Sequence, residues 1–460
     1  VRSDLQHRVQ HGLREAVPLA GWPDPYHDLY DRMARYGVPG CAVAVIEDGD
    51  LAWSAGYGTI SAGGAPVTTG TLFQAASISK VVNALGLLSL AEQGLVDLDT
   101  DVNLQLKSWQ LPRTDPWPDE PVTPRRLLSH TGGTSTSGFV GYPPGTTVPS
   151  IIEILDGAPV SASEAVRVVT RPGSEYHYSG GGTTVLQLLV EDLTGKPYGV
   201  AMAELVLGPL GMHASHYEHP IDRTRYANTA YGHFVTGEML PGGGNIKPTM
   251  AAGGLWTSVD DLALLIKGIF ALRDGTAASP VITRQMAVEM LTPVPNSPHG
   301  LGPEVIGMGT SRRFRHNGTN RGFCSQIEGL LTKESGVVIM TNGDGGNTLI
   351  GELLRAVDEV HGWSLYERKP VTVAVVDPTH LARLAGRYEG PFGMVAEVRW
   401  DGRQLYRPAP YGKTVLIPIG DDRFLDSETG ALVIAEVSDG KAVIRILFEG
   451  NEILRYTKSP

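Results

Sequence analysis

Ser77-Ile78-Ser79-Lys80 stands at the head of the run Val81-Val82-Asn83-Ala84-Leu85-Gly86-Leu87-Leu88, and Gly94 stops that run. The pattern predicts a helix from about Ser79 to Gln93. A serine that opens a helix has Lys80 one turn later on the same face, where an ammonium can approach the hydroxyl. The helix N-terminus also favours a developing oxyanion. A hydroxyl is a weak nucleophile at its own pKa and needs an adjacent base. Ser79 starts a second Ser-Lys arrangement, but its lysine points around the helix rather than along it. The spacing S-x-x-K recurs by chance in many proteins, so its surroundings decide its meaning.

Working outward, residues 26–37 read as a helix broken by Gly37-Val38-Pro39-Gly40. Cys41 to Glu47, the turn Asp48-Gly49-Asp50 and Leu51 to Tyr57 form a hairpin. The middle of the chain, about 100–300, alternates Pro/Gly-rich loops with helices such as Gly182–Thr194 and Val259–Leu272. Strand patterns return at Gly322–Leu331 and Gly336–Thr341, and Thr348–His361 reads as a closing helix. The expected class is α/β (α+β): a central antiparallel sheet made of N- and C-terminal strands, flanked by helices, with a helical subdomain inserted between them. At the N-terminus Leu5, Val9, Leu13 and Val17 recur every four residues and predict a short amphipathic helix.

After Trp363 the texture changes. Eight strand-like runs follow between Gly386 and Tyr456, punctuated by Asp401-Gly402, Asp439-Gly440 and Glu449-Gly450-Asn451. Short strands without helices predict a small antiparallel β-barrel, and a barrel filled by its own side chains is favoured over one that holds a ligand. The expected organisation is a catalytic domain over 1–365 with residues 1–25 as an extension, a linker over 366–380, and the barrel over 381–460.

Composition excludes several classes. The 460 residues carry 38 Lys and Arg against 49 Asp and Glu, a formal net charge of −11, without the basic footprint of a nucleic-acid binder. Two cysteines, Cys41 and Cys324, rule out a disulfide framework and read as buried hydrophobes. No apolar stretch reaches the ~18 residues of a membrane span; Leu262 to Leu272 is broken by Lys267 and Gly268. Val1 to Leu19 lacks a secretory pattern, so a cytoplasmic location is favoured over a secreted one, although the missing initial Met allows a processed start.

Further landmarks surround Ser77: Leu127-Leu128-Ser129-His130-Thr131-Gly132-Gly133, Tyr178-Ser179-Gly180 after Pro172-Gly173, Ala252-Gly253-Gly254-Leu255, and His316-Asn317-Gly318-Thr319 after Arg315. In this order they resemble the class C β-lactamase and penicillin-binding-protein superfamily of serine hydrolases, over about residues 26–362. The tail from Leu381 is similar to the lipocalin-like barrels of many members. The resemblance implies Ser77 as acylated nucleophile and Lys80 with Tyr178 as proton relay, without deciding which is the base. It implies an oxyanion hole from the backbone N–H groups of Ser77 and Thr319, and substrate contacts from His316, Asn317, Gly318 and Gly180. No cofactor or metal is implied.

Two departures matter. The family's Tyr-x-Asn is Tyr178-Ser179-Gly180 here, and its Lys-Thr-Gly is His316-Asn317-Gly318. The substrate-contacting amide is gone, and a histidine with a pKa near ~6.5 supplies little fixed charge. Both losses argue against β-lactam hydrolysis and D-Ala-D-Ala carboxypeptidation. The histidine variant is found among the family's esterases, D-aminopeptidases and acyl-transferring members. The expected function is therefore ester or amide hydrolysis on a small-molecule or peptide acyl substrate. D-amino-acid peptidase and acyltransferase or cyclase activity are the alternatives, and a non-catalytic binding module is the alternative of another class.

Other features read more plainly. His213, His216 and His219 have ligand-like spacing, but Gly211 and Pro220 mark a loop, and a structural turn is favoured over a metal site. His130 reads as a structural hydrogen-bonder and His177 as surface or pocket rim. Asn317-Gly318-Thr319 is a glycosylation sequon that an active-site strand would hide. Gly242–Asn245 and Gly343–Asn347 lack a P-loop lysine. Trp256 either lines the pocket or packs.

Overall fold

The computed structural model describes residues 2–114, 116–390, 395–409, 412–438, 441–448 and 451–459. The chain forms two compact units, Gly37–Ile350 and a second made of Ser3–Tyr36 with Gly351–Pro460.

In the first unit, β1 (Gly40–Glu47) and β2 (Asp50–Gly58) form the hairpin. The two-residue strands β3 (Phe73–Gln74) and β4 (Trp256–Thr257) pair with each other. The remaining strands are β5 (Glu304–Ile306), β6 (Arg313–Asn320), β7 (Phe323–Leu330) and β8 (Ser335–Thr341). They assemble in the order β2-β1-β8-β7-β6-β5, antiparallel throughout. N- and C-terminal strands thus meet at the β1–β8 ladder, as the sequence predicts. β7 and β8 are buried at every position, which requires cover on both faces. The Val259–Asp274 helix packs on β1 and β8. Cys41 and Cys324 are buried free thiols on β1 and β7, and burial pushes both up to about 12.

The inserted helices form the rest of the core. Ser79–Glu92 is almost wholly buried, with Val81, Leu85 and Leu88 in one apolar cluster with Leu186, Leu189 and Ile266. The Gly180–Thr194 helix starts at Ser179, whose hydroxyl accepts from the Gly182 N–H at 2.8 Å. It stops at Gly195, whose φ of 66° is open to glycine at little cost. Trp256 packs: it is buried and meets Phe323 edge-on at 5.6 Å.

In the second unit, β9 (Gly386–Glu389), β10 (Val395–Trp400), β11 (Leu405–Ala409), β12 (Gly412–Gly420), β13 (Arg423–Asp426), β14 (Leu432–Ser438), β15 (Lys441–Phe448) and β16 (Asn451–Lys458) close into an antiparallel barrel. Tyr388, Val398, Leu405, Leu416, Phe424, Val433, Ile444 and Tyr456 form its core. The turn residues Asp439, Gly440, Glu449 and Gly450 lie outside the described residues. The N-terminal helix is shorter than its periodicity predicts. It covers Arg2–Gln10, and Leu13 instead exchanges backbone hydrogen bonds with His27 at 3.2 and 2.8 Å. Leu13 and Val17 are buried without being helical, so tertiary contacts rather than helix period set that spacing. Among the described residues no helix is long and apolar enough to cross a membrane.

Candidate active site

Ser77 sits in a 3₁₀ turn, Ala76–Ile78, that leads directly into the Ser79–Glu92 helix. It is half-buried, while its neighbours from Thr71 to Lys80 are buried. Ala76 has a φ of +48°, a left-handed conformation that costs a non-glycine residue about 1–3 kcal/mol and must be held by its surroundings. Ser79 supplies part of that hold. Its hydroxyl donates to the Ala76 carbonyl and accepts the Leu255 N–H at 3.0 Å. Ser79 is therefore a buried strut, and Ser77 is the serine that faces space.

Lys80 is buried, and its Nζ lies 3.1 Å from Ser77 Oγ and 2.7 Å from the Ala252 carbonyl. Ala252 belongs to the short Met250–Gly253 helix, so the Ala252-Gly253-Gly254 landmark is what aims the lysine. The Tyr178 ring centroid stands 5.1 Å from the same Nζ. Thr319 and Asn320, at the end of β6, complete the pocket lined by Ser77, Lys80 and Gly253. Asn320 Nδ2 donates to Gln74 at 2.7 Å and to the Gly253 carbonyl at 2.9 Å, tying β6, β3 and the lysine-aiming helix together.

Three imidazoles surround Tyr178, with centroids at 4.3 Å for His130, 6.2 Å for His299 and 6.3 Å for His316. Burial holds all three below the usual histidine range, and the Lys80 charge adds to that; His316 comes to about 3. His316 Nδ1 donates to the Asn317 carbonyl at 2.7 Å, so Nε2 carries the lone pair, buried and without a partner among the described groups. His130 Nδ1 accepts the Ser179 N–H at 3.2 Å, the structural role its sequence context predicts. Burial thus disfavours the charged form of each of these imidazoles.

The glycine of Tyr178-Ser179-Gly180 has a steric explanation. A β-carbon at Gly180 would stand 3.0 Å from the Ser137 carbonyl and 3.4 Å from Phe139 Cε2. The 137–139 loop thus crowds the place that a β-carbon at this position would take. Asn317 and Thr319 are exposed on β6 while His316, Gly318 and Asn320 are buried. The strand does not hide the Asn317 sequon, because pleat alternation turns that residue outward. His216 stacks on Tyr226 at 4.0 Å, and His219 Nε2 donates to the Gly254 carbonyl at 2.7 Å, so two of the three histidines of the ligand-like spacing serve separate contacts.

Sequence reading missed His299, Phe139, Asn320 and Lys247. Lys247 is buried, lines the pocket with Ser77 and Lys80, and donates to the Phe139 carbonyl at 2.7 Å. It stands five residues before Ala252 in a segment with no motif of its own, and only the fold brings it to the site.

Residues 28–361 match the family model described as Beta-lactamase. The chain is 27% identical over 322 residues to a D-aminopeptidase of Gluconobacter oxydans, covering 67% of this chain and 57% of that protein. It is 30% identical over 208 residues to Esterase EstB of Burkholderia gladioli, covering 43% of this chain and 51% of that protein. The chain spans about half the length of these curated relatives. Among solved structures, the octameric penicillin-binding protein homologue from Pyrococcus abyssi superposes with a TM-score of 0.62 at 23% identity, covering 94% of this chain and 98% of that one. That likeness is one of fold.

Proposed function

The chain belongs to the Beta-lactamase family, a family of serine hydrolases, and on that premise we propose that it hydrolyses esters or amides through an acyl-enzyme on Ser77. The observation that carries this reading is the 3.1 Å approach of Lys80 Nζ to Ser77 Oγ, at the one half-buried residue of a buried turn. Ser77 Oγ attacks the carbonyl carbon while its proton passes to the Lys80–Tyr178 pair. The carbonyl oxygen becomes an oxyanion, received by the N–H groups of Ser77 and Thr319. Collapse breaks the bond to the alcohol or amine, which leaves with the proton. Water then adds to the acyl-enzyme, gives a proton to the same pair, and releases the acid and Ser77.

The acyl substrate is an ester or amide in preference to a β-lactam. His316 is neutral where a lysine would hold a carboxylate, and Gly180 offers no amide. The D-aminopeptidase match favours amides of D-amino acids as the second reading. In both readings the chemistry belongs to residues 1–365, with 381–460 a separate barrel beyond a 366–380 linker.

A fluorophosphonate probe on the intact protein, followed by peptide mass spectrometry, tests the nucleophile. Modification of the Ser77 peptide, with turnover of a p-nitrophenyl ester, is the expected result. An unmodified, folded protein would make the chain a binding module.

A further inference from the structure

Lys247 has the chemistry of a ligand contact. An ammonium has three donors, yet among the described groups its one hydrogen-bond acceptor is the Phe139 carbonyl. No aspartate or glutamate is among the described residues that line the pocket, where Lys247 stands with Lys80. Burial and the Lys80 charge push Lys247 down to about 7. A cation held without a carboxylate is costly unless something compensates it.

The position is built. The Ile246 and Tyr142 backbones exchange hydrogen bonds of 3.0 and 2.8 Å, and Asn245 Nδ2 donates to the Val140 carbonyl at 3.0 Å. Between these ties the Lys247 stem passes over Gly141. A β-carbon there would stand 2.6 Å from the Ile246 carbonyl oxygen and 3.0 Å from Lys247 Cδ, and the glycine's φ is +78°. The backbone thus leaves room for this side chain and delivers its head to the pocket that holds Ser77.

We propose that Lys247 is a specificity-determining residue: its ammonium receives a carboxylate carried on the acyl side of the substrate's scissile bond, not on the leaving-group side where a β-lactam carries its own, and it turns away acyl groups that bring a free ammonium there. The proposal rests on Ser77 as the nucleophile. An incoming carboxylate takes the donors that the Phe139 carbonyl leaves over and favours the charged form of Lys247. An incoming ammonium meets two lysine side chains and no carboxylate on this lining. A D-amino-acid amide with a free amine is disfavoured by the same logic.

The test compares three esters of matched length: p-nitrophenyl hexanoate, mono-p-nitrophenyl adipate and p-nitrophenyl 6-aminohexanoate. Wild type is expected to favour the anionic ester over the cationic one by about tenfold or more in kcat/KM, the scale of one charge-assisted hydrogen bond. In Lys247→Gln that ratio should shrink to within about threefold, chiefly through KM of the anionic ester, and Lys247→Arg should restore most of it. A flat or inverted preference in wild type overturns the proposal, with no variant needed. So does a preference that survives Lys247→Gln. If Lys247 only tethers the Phe139 loop, all three esters fall together in Lys247→Gln, which also overturns it. Fluorophosphonate labelling of Ser77 is followed in parallel. Its absence in wild type would refute the hydrolase reading itself, whereas labelling without charge preference refutes only the role of Lys247.

Discussion

A β-carbon on Gly318 would lie 2.2 Å from the carbonyl oxygen of Ala75, and 2.4 Å from Ser325 Oγ. Strand β6 is thus pressed against the turn that carries Ser77, at backbone contact distance. The glycine of His316-Asn317-Gly318 is needed for this approach, which also sets the distance between Thr319 and Ser77. Gly318→Ala should therefore push the strand and the turn apart. We expect a loss of about 1–3 kcal/mol in stability, the cost of overpacking, and a larger loss in acylation. Urea denaturation read beside the rate of Ser77 labelling checks both. Wild-type labelling in this variant would show that the close approach is dispensable.

The two serines of the motif should separate by phenotype. Ser77→Ala should abolish labelling and lower kcat on the order of a millionfold with stability unchanged, and Lys80→Ala should be nearly as damaging without adding to it. Ser79→Ala should keep its nucleophile but lose about 1–3 kcal/mol of stability, because the buried Leu255 N–H loses its acceptor. Mass spectrometry of the labelled peptide with thermal melts checks the pair. Labelling that moves to Ser79 in the Ser77 variant would contradict the strut role.

The contrast shows what the sequence made legible. Ser77 and Lys80 could be singled out because their spacing has a local chemical reason, whereas Tyr178 was singled out only through the order of motifs that carries the family resemblance. That strands from both ends of the region share one antiparallel sheet was readable from their patterns, though its order was not, and the barrel strands were readable from their alternation and turns. Lys247, Phe139 and His299 were not readable, since their partners are remote in sequence and their own segments are ordinary loops. The periodicity of Leu13 and Val17 misled for a related reason: burial by distant residues produced a spacing of four without a helix.

Nitrocefin should be cleaved at least about tenfold less efficiently than the best short-chain aryl ester, since two substrate-holding groups are replaced. The structure adds a sharper form of this expectation. Gly180→Asn should not rescue nitrocefin turnover, because the Ser137 carbonyl and Phe139 crowd the new β-carbon. Steady-state kinetics on both substrates, in wild type and variant, decide this. Efficient nitrocefin turnover by wild type would show that neutral His316 and Gly180 are no handicap.

The buried imidazoles should make stability fall with acid. His316 is held at about 3, His216 and His219 at about 4, and His130 and His299 are lowered by burial. A histidine whose folded pKa is depressed stays neutral while the unfolded chain takes up a proton below ~6.5. The unfolded state then binds more protons, so stability is full above that pH and declines as pH drops through the window toward 3–4. Each such histidine contributes up to ~1.4 kcal/mol per pH unit. Urea unfolding at pH 7, 6 and 5 should show the decline, and His316→Gln should reduce its slope by about one proton. An unchanged slope in that variant would mean His316 titrates normally.

The last expectation concerns the C-terminal residues. Every group assigned to acylation lies between Ser77 and Thr319, while the N-terminal segment is tied to the other unit. Leu19 bridges to Val371, with the Ala20 N–H donating to the Val371 carbonyl and the Val371 N–H to the Pro18 carbonyl, both at 2.9 Å. Removing residues 370–460 should therefore produce two separable effects. Labelling of Ser77 should persist in soluble, monodisperse protein, because none of its machinery has been cut. The segment around Leu19 should become more readily cleaved by protease, because the Val371 backbone that bridged to it is gone and the Pro18 and Ala20 backbone groups lose their partners. Limited proteolysis with intact-mass analysis reads the second effect and probe kinetics read the first. Labelling lost in a well-folded truncation would mean that the barrel completes the active site, and the division between catalysis in 1–365 and a separate module in 381–460 would fail.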